Sequence, residues 1–266
     1  GSFAAGGLDV RVGLPRRILI TGASGAIGGA LAEVYAEPDV ELHLHGRNEE
    51  KLAAVCARCV AQGAVVRLRC LDLRDTNALH AWLGEVCEAD ALDLVIVNAG
   101  MNTDIGPAGE GEPWDEAEAV VDINLKASMA IVHAVLPAMR RRRAGQIALV
   151  SSLAGYFGLP VTPAYCASKA GIKAYGEALR GWLAPEGIQV NVIMPGYVES
   201  PMCEAMPGPK PFLWQPARAA RCIRRGLEKD RARISFPFPL NLGTWFLAVL
   251  PAALSLRILS LLGYRG

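Results

Sequence analysis

Short apolar segments alternate with longer amphipathic segments between residue 16 and residue 237. The short segments are mostly continuous runs of apolar side chains, which is the pattern of strands buried on both faces of a parallel sheet. Seven segments are predicted strands: residues 16–22, 40–46, 64–70, 91–98, 145–152, 187–195 and 231–237. Because crossovers between parallel strands are right-handed, this order predicts an α/β fold with one doubly wound parallel sheet of about seven strands and helices on both faces.

No linker or repeat divides the alternating region, so we expect one domain over residues 16–237. Residues 1–15 contain no apolar signal core, and we expect them to be a poorly ordered leader or tag. Residues 238–266 are an apolar extension beyond the last predicted strand. In a sheet of this kind ligands bind at the carboxyl ends of the strands, and candidate chemistry is therefore sought there.

The extension belongs to a stretch without charge that runs from Ile234 to Leu256. Pro237, Pro239 and Pro251 interrupt this stretch, so it does not match the continuous apolar helix that spans a bilayer. A proline at position 251 predicts two short helices instead of one. Three positions remain open for this helical tail: a cover over the substrate cleft, a subunit contact, or a hairpin on a membrane surface. We favour packing against protein over the membrane surface.

Charge and composition narrow the class of protein. Apolar residues make up 52% of the chain and charged residues 20%, which indicates a packed globular protein and not a disordered one. The net charge of +1 gives no electrostatic reason to expect a nucleic-acid partner. The one basic run, residues 140–143, lies where a helix is expected to end, and cations are favoured at that end.

The seven cysteines follow no disulfide framework. Cys56 and Cys59 form a CxxC motif, but it lies in a helical segment without a second pair or a nearby histidine. We therefore expect reduced thiols, no metal site, and a cytoplasmic protein with peripheral membrane contact only if the tail provides it.

The first predicted strand runs into the glycine-rich segment TGASGAIGG, residues 21–29. Glycines allow the tight turn and the close approach of a ligand, and the next helix points its free N–H groups at that ligand. The segment predicts a dinucleotide diphosphate site. Its candidate cofactor-binding residues are Thr21, Gly22, Ser24, Gly25, Ala26, Ile27 and Gly28.

The second strand decides which dinucleotide is expected. An NAD site places an acidic residue at this strand end, whereas the sequence here is Gly46-Arg47-Asn48. A guanidinium pairs with a 2′-phosphate, so Arg47 favours NADP(H) over NAD(H), the alternative being a surface arginine in a turn. Asp72, after the third strand, is expected to cap the next helix, to bind the adenine amino group, or both.

The fourth and fifth strands end in Asn98-Ala99-Gly100 and Ser151-Ser152. The first of these loops has only small side chains and leaves room for a cofactor at the sheet edge. The serine pair lies where a ligand is expected, although such a pair is more often a helix cap or turn.

A tyrosine and a lysine follow in AYCASKAG, residues 164–171. On a helix, Tyr165 and Lys169 lie one turn apart on one face. A free tyrosine has a pKa near 10, and a neighbouring ammonium group stabilises the phenolate. We therefore expect Lys169 to lower the pKa of Tyr165 toward neutral pH, so that Tyr165 is the acid in carbonyl reduction and the base in alcohol oxidation.

Together these motifs resemble the classical short-chain dehydrogenases/reductases, whose fold is of the Rossmann type. The resemblance rests on TGASGAIG, NAG, the Asn124 of DINLKA, VSS with its tyrosine thirteen residues on, YCASK, and PGYVES at 195–200. The glycine segment also fits the extended branch of the family, but the NAG and PG segments and the short chain favour the classical branch. The resemblance covers residues 16–237.

The resemblance implies roles for individual residues. Ser152 would polarise the substrate oxygen, Lys169 would also hold the nicotinamide ribose, and Asn124 would anchor a proton-relay water. Pro195, Gly196, Val198 and Ser200 would form the nicotinamide-facing loop. The family implies a homodimer or homotetramer, and its catalytic residues here would be Asn124, Ser152, Tyr165 and Lys169.

The segment after this loop, residues 201–215, is expected to be a short substrate lid, because three closely spaced prolines, at positions 207, 209 and 211, disfavour a long helix. Met202, Met206, Phe212 and Trp214 suggest an apolar substrate or a lid packed on the domain. We interpret the chain as an NADP(H)-dependent oxidoreductase acting on a small carbonyl or alcohol substrate. A non-catalytic NADP-binding sensor or scaffold, and an epimerase or dehydratase that retains its nicotinamide, are the alternatives.

Overall fold

The fold is seen in a computed structural model that describes residues 13–89 and 91–264. Residues 1–12 of the predicted leader lie outside the described residues. One all-parallel sheet has the strand order β3-β2-β1-β4-β5-β6-β7. The strands are β1 (Arg17–Ile20), β2 (Glu41–Gly46), β3 (Val65–Cys70), β4 (Leu94–Val97), β5 (Gly145–Val150), β6 (Ile188–Pro195) and β7 (Arg233–Phe236). Each lies inside one predicted segment, so the predicted doubly wound α/β fold is confirmed.

Helices cover both faces of the sheet. They are α1 (Ala26–Tyr35), α2 (Glu49–Ala61), α3 (Thr76–Ala89), α4 (Trp114–Val121), α5 (Ser128–Arg142), α6 (Pro163–Leu183), α7 (Pro201–Ala205), α8 (Pro216–Glu228), α9 (Leu240–Val249) and α10 (Ala252–Leu261). A π-helical turn over Asp122–Ala127 joins α4 to α5. The five-residue α7 agrees with the expected short lid.

Alternating side chains of the strands build two cores. Ile18 and Ile20 of β1 pack with α1, α2 and α8, whereas Leu19 packs on the other face with α3, α5 and α6. Successive strand residues point to opposite faces, so an apolar run fills both cores at once. This is why the central strands are apolar throughout.

The chain leaves β1 toward β2 and β3, and later returns to β4 on the other side of β1. The carboxyl ends of β1 and β4 therefore border the crevice where the strand order reverses. The glycine-rich turn and the NAG loop meet at this crevice.

The tail forms two helices, as predicted, and Pro251 is the N-cap of the second. Each has ten residues, which is too short to cross a bilayer. Among the described residues, one helical stretch, Trp114–Arg142, is long and apolar enough for a span by length and composition. Half of its apolar window is buried inside the protein, as expected of a core helix.

Candidate active site

The glycine-rich turn connects β1 to α1, and its backbone is packed so closely that it leaves no room for side chains at Gly22 and Gly28. Gly22 has a φ of +69°, which favours glycine. A Cβ atom added to Gly28 would lie 2.2 Å from the carbonyl oxygen of Gly22. Both positions therefore require glycine, and the turn forms the cradle expected for a diphosphate group at the start of α1.

The side chains of Thr21 and Asn98 join the glycine turn to the end of β4. Thr21 Oγ1 accepts hydrogen bonds from the backbone N–H of Asn98 at 3.0 Å and of Ala99 at 3.1 Å. Asn98 Nδ2 donates to the carbonyl oxygens of Thr21 and Gly22 at 3.2 and 3.3 Å. Thr21 is fully buried, so its side chain supports the crevice from behind.

His45 is a site residue that the sequence analysis missed. Its Nε2 lies 2.9 Å from the carbonyl oxygen of Leu71 and must donate, so Nδ1 accepts from the N–H of Gly22 at 3.2 Å. Burial lowers the pKa of His45, which keeps this donor–acceptor tautomer neutral. The signal was present in the sequence, because a histidine in an otherwise apolar strand needs polar partners.

At the end of β2, Arg47, the cation predicted to bind a 2′-phosphate, borders the large cavity of the protein. Arg47, Asn48 and Lys51 all line it. Within the described part of the chain, the guanidinium of Arg47 has no hydrogen bond or ion pair, whereas Asn48 caps α2 by accepting from the Lys51 N–H at 2.9 Å. Lys51 is a second cation that the sequence analysis missed; it lies one turn beyond Arg47 in the sequence.

Asp72 is paired with Arg74 and does not cap α3, and its expected contact with the adenine amino group stays a prediction. Its carboxylate accepts from the Arg74 guanidinium and backbone N–H at 2.7–3.1 Å, and these bonds lower its pKa. The residue that caps α3 is Asp75, whose Oδ1 accepts from the Ala78 N–H at 3.0 Å. The expectation that Asp72 caps this helix was wrong, since Asp75 stands directly before it. Leu73, and not Asp72, lines the cavity.

Tyr165 and Lys169 lie in the first turns of α6, as predicted. The side chain of Ser152, which follows β5, interacts with the Tyr165 hydroxyl and favours its ionised form. Lys169 Nζ donates to the carbonyl oxygen of Val150 at 3.0 Å and lies 5.7 Å from the centre of the Tyr165 ring. Ser152, Tyr165 and Lys169 all line the cavity.

An ion pair between Tyr165 and Lys169 would lower the pKa of the tyrosine and raise that of the lysine. Burial shifts both pKa values in the opposite directions. It raises the pKa of Tyr165 to about 12, and the hydroxyl of Ser152 offsets this only in part. It lowers the pKa of Lys169 to about 8. The expected lowering of the Tyr165 pKa by Lys169 was therefore wrong for this structure. The reason is that loss of water outweighs the cation, whose hydrogen bond goes to Val150.

The other serine of the pair is structural. Ser151 is buried, and its Oγ donates to the carbonyl oxygen of Lys169 at 2.7 Å. This bond ties the end of β5 to the helix that carries the catalytic candidates. Ser152 Oγ also accepts from the Ala154 N–H at 3.1 Å, so its hydroxyl is both a turn cap and a cavity group.

Asn124 lies in the π-helical turn and is buried. Its amide oxygen accepts from the Met101 N–H at 2.8 Å, and its Nδ2 donates to Met101 O at 2.9 Å and Ser168 Oγ at 3.0 Å. A Cβ atom on Gly100 would lie 3.3 Å from the amide oxygen and 3.4 Å from Lys169 Nζ. Protein groups thus satisfy the amide beside Lys169, and the relay water stays a prediction.

A carboxylate holds the start of α6. Both oxygens of Glu112 lie 3.1 Å from the Ala164 N–H, and Thr162 Oγ1 donates to Thr103 O at 2.7 Å. A negative charge at a helix N-terminus is favourable, and here it fixes the turn that contains Tyr165. No sequence motif singled out Glu112, because it lies in a long loop.

The loop after β6 lines the cavity at Pro195, Gly196, Val198 and Ser200, as predicted. Ser200 Oγ accepts from the Cys203 N–H at 3.0 Å and so caps α7. A Cβ atom on Gly196 would lie 2.8 Å from Pro237, which explains glycine at this position.

One cavity of about 790 Å³ runs from the glycine turn past Tyr165 to the tail. The two tail helices, α9 and α10, are called the tail hairpin below, and they form the wall opposite the catalytic candidates. Its lining residues there are Leu240, Gly243, Thr244, Leu247, Ile258, Leu259, Leu262 and Tyr264. The sequence left three arrangements open for the tail. The inner face of the hairpin follows the first of them, because it covers the cleft.

Tyr264 holds the end of the hairpin in place. Its hydroxyl donates to the carbonyl oxygen of Pro209 at 2.7 Å and lies 2.8 Å from the hydroxyl of Tyr197. The three residues connect the hairpin, the lid segment and the loop after β6 around one end of the cavity. None of them was singled out for this contact from the sequence, because the partners lie 55 and 67 residues from Tyr264.

The structure brings most of the predicted site residues to this one cavity. Four of them, Thr21, Gly28, Asp72 and Asn124, are not part of its wall. In the described ranges no group of three or more histidine, cysteine or acidic residues could hold a metal ion. All seven cysteines are free, and burial raises the pKa of the Cys59 thiol to about 11.

The model of the short chain dehydrogenase family matches residues 16–208, which is well over half of the chain. The chain belongs to the short-chain dehydrogenase family. It is thus an oxidoreductase of the classical branch that was expected, in a family whose members use a nicotinamide cofactor on small molecules.

Two curated proteins illustrate the family similarity. An uncharacterized oxidoreductase of Myxococcus xanthus is 35% identical over 237 residues, which cover 89% of this chain and 93% of that protein. The 3-oxoacyl-[acyl-carrier-protein] reductase FabG of Rickettsia conorii is 34% identical over 193 residues, covering 71% and 75%.

Solved structures agree with the fold. A short-chain dehydrogenase from Sphingobium yanoikuyae in complex with NADPH has a TM-score of 0.77 at 24% identity and covers 92% of this chain and 94% of its own. A metagenomic short-chain oxidoreductase in complex with NADP has a TM-score of 0.69 at 28% identity and covers 83% and 95%.

Proposed function

We propose that this protein is an NADP(H)-dependent oxidoreductase that interconverts a carbonyl and an alcohol on an apolar substrate, with Tyr165 as the acid and base. The observation that carries the proposal is that Ser152, Tyr165 and Lys169 lie together in the wall of one cavity. The same cavity reaches the glycine turn on one side and the apolar hairpin on the other, so it offers room for a dinucleotide beside an apolar substrate.

The residues of the cradle fit a dinucleotide. Glycine is required at positions 22 and 28, and the free N–H groups of α1 lie at the crevice. When bound, the nicotinamide supplies the hydride for the carbonyl carbon. Lys169 would hold its ribose, and the loop from Pro195 to Ser200 would face its carboxamide.

The proton comes from the chain itself. Ser152 would donate a hydrogen bond to the substrate oxygen and polarise it. As the carbon gains the hydride, Tyr165 gives its phenolic proton to that oxygen, and the C=O bond becomes C–OH. With a pKa of about 12 the phenol is protonated at neutral pH, which suits the reductive direction. Asn124 would order a water next to Lys169 that returns a proton to the tyrosine.

The preference for NADP(H) rests on the charge at the end of β2. Arg47 and Lys51 line the cavity there, and the carboxylate of Asp72 is paired with Arg74. Two cations with no competing carboxylate suit a 2′-phosphate. The NADPH and NADP complexes among the similar structures support the same choice.

A substrate panel tests the proposal. NADPH consumption would be followed with aldehydes and ketones of increasing apolar length, with NADH as the matched control cofactor. We expect consumption with NADPH, weaker consumption with NADH, and a KM that falls as the apolar part grows. NADPH binding without net consumption for any substrate would overturn the proposal in favour of a sensor or an epimerase or dehydratase.

A further inference from the structure

Helix α9 has two apolar stripes, although packing against the domain requires only one. The inner stripe lines the cavity. The outer stripe is exposed, with about half of each side chain in contact with solvent. The inner residues are Leu240, Gly243, Thr244 and Leu247, and the outer ones are Leu242, Trp245, Phe246 and Val249. Both follow the spacing i, i+3, i+4, i+7, so they occupy different faces of one helix.

Helix α10 repeats this arrangement. Ile258, Leu259 and Leu262 line the cavity, whereas Leu254, Arg257 and Leu261 share an outer face. Leu261 is 82% exposed, and Phe238, just before the hairpin, is 76% exposed. An apolar surface of this extent on a folded chain marks an interaction site.

The charge of the hairpin favours one kind of partner. Residues 238–266 contain two arginines, Arg257 and Arg265, and no acidic residue. In a two-fold dimer through this face, each hairpin would meet a copy of itself with arginine and no carboxylate to pair with it. Anionic lipid headgroups would instead pair with arginine, and Trp245 suits the boundary between headgroups and acyl chains.

The outer face also adjoins the cavity. Leu262 and Met202 both line the cavity and are exposed, so the cavity wall reaches the surface beside the hairpin. A bilayer at this face would stand next to an apolar cavity. An apolar substrate could then enter from the lipid, a consequence that rests on the proposed function, whereas the docking itself does not.

We propose that the outer face of the tail hairpin, formed by Leu242, Trp245, Phe246, Val249, Leu254, Arg257 and Leu261, docks on an anionic lipid bilayer. The hairpin lies flat, because neither helix is long enough to span. Its inner face continues to close the cavity while its outer face enters the interfacial region.

Vesicle flotation tests the docking. The full chain should float with vesicles of phosphatidylcholine mixed with phosphatidylglycerol, and much less with phosphatidylcholine alone. The double variant Trp245→Glu/Phe246→Glu should lower partitioning about tenfold or more, and Arg257→Gln about fivefold. Trp114→Glu is the matched control, since Trp114 is 76% exposed on α4, and it should change nothing. Unchanged NADPH affinity and circular dichroism would verify that each variant is folded.

Fluorescence quenching locates the contact. Lipids brominated near the headgroup should quench the wild-type protein, and Trp245→Phe should keep the flotation but lose most of the quenching. No flotation of the wild type, or flotation that the double variant does not change, would overturn the proposal. A dimer in solution that the double variant dissociates, without vesicle binding by the wild type, would overturn it in favour of a second copy of the chain.

Discussion

Tyr165 and Lys169 both lie in the interior, and burial disfavours the charged form of each. The pKa of the phenol rises to about 12 and that of the ammonium falls to about 8. Near neutral pH the tyrosine therefore holds its proton and the lysine is still charged, which is the pair of states that carbonyl reduction requires. Above pH 8, Lys169 loses its charge long before Tyr165 loses its proton.

We expect this order to appear in the pH dependence of carbonyl reduction. The value of kcat/KM should be flat below about pH 8 and fall above it, because Lys169 becomes neutral. Lys169→Arg should lower the rate but move the falling limb to higher pH, since a guanidinium stays charged. A wild-type profile that rises through pH 8 would contradict this assignment.

Arg47 should discriminate between the two cofactors. Arg47→Ala should weaken NADPH binding by about 1.5–3 kcal/mol, the usual effect of losing a charge-assisted contact, and leave NADH binding nearly unchanged. Titration calorimetry with both cofactors measures this. Arg58→Ala is the control, because Arg58 lies on α2, is paired with Glu33 and does not line the cavity. Equal losses for both cofactors would indicate a structural role for Arg47.

The strands were predictable element by element, because each buried strand needs a continuous apolar run between polar segments. Pro251 likewise predicts where the tail divides. Contacts between distant elements were not predictable in this way. The Glu112 contact with the start of α6 spans 52 residues, and the pairing of Tyr264 with Pro209 spans 55. Such contacts depend on how the elements pack against each other, and the local sequence does not determine this packing.

The turn between β1 and α1 gives a sharp test at the scale of an element. In Gly28→Ala the added methyl group would collide with the carbonyl oxygen of Gly22, so we expect a loss of about 1–3 kcal/mol in stability and a severe loss of cofactor affinity. Gly84→Ala is the matched control: its Cβ meets nothing within 4 Å in α3, and it should stabilise the helix by up to about 1 kcal/mol. Thermal unfolding and NADPH titration distinguish the two. Equal effects would contradict the role of the turn.

The tail hairpin should depend on its last tyrosine. Tyr264→Phe removes the hydroxyl that contacts Pro209 and Tyr197, so we expect a loss of about 1–3 kcal/mol in the free energy of unfolding. Because these contacts close one end of the cavity, KM for long apolar substrates should rise more than KM for short ones. Denaturant unfolding and kinetics with substrates of two lengths measure both effects. An equal rise for both lengths would argue against this closure.

At the scale of the molecule, two separate regions of the sequence form the walls of one cavity. The strand ends and the glycine turn supply the cofactor side, and these residues carry motifs that were recognisable before the structure. The hairpin and the lid supply the opposite wall, and their apolar composition predicted burial without specifying what they would cover. The pKa of Tyr165 also depends on the whole cavity, which is why a pairwise argument from Lys169 gave the wrong direction.

The proton donor is the central claim, and Tyr165→Phe tests it most directly. The variant should keep its circular dichroism spectrum and its NADPH affinity, because only a hydroxyl is lost from the cavity wall. Turnover of NADPH with the preferred carbonyl substrate should fall about a hundredfold or more, as expected for the loss of a general acid. A Phe variant that binds NADPH and reduces that substrate at a near-normal kcat would contradict the account.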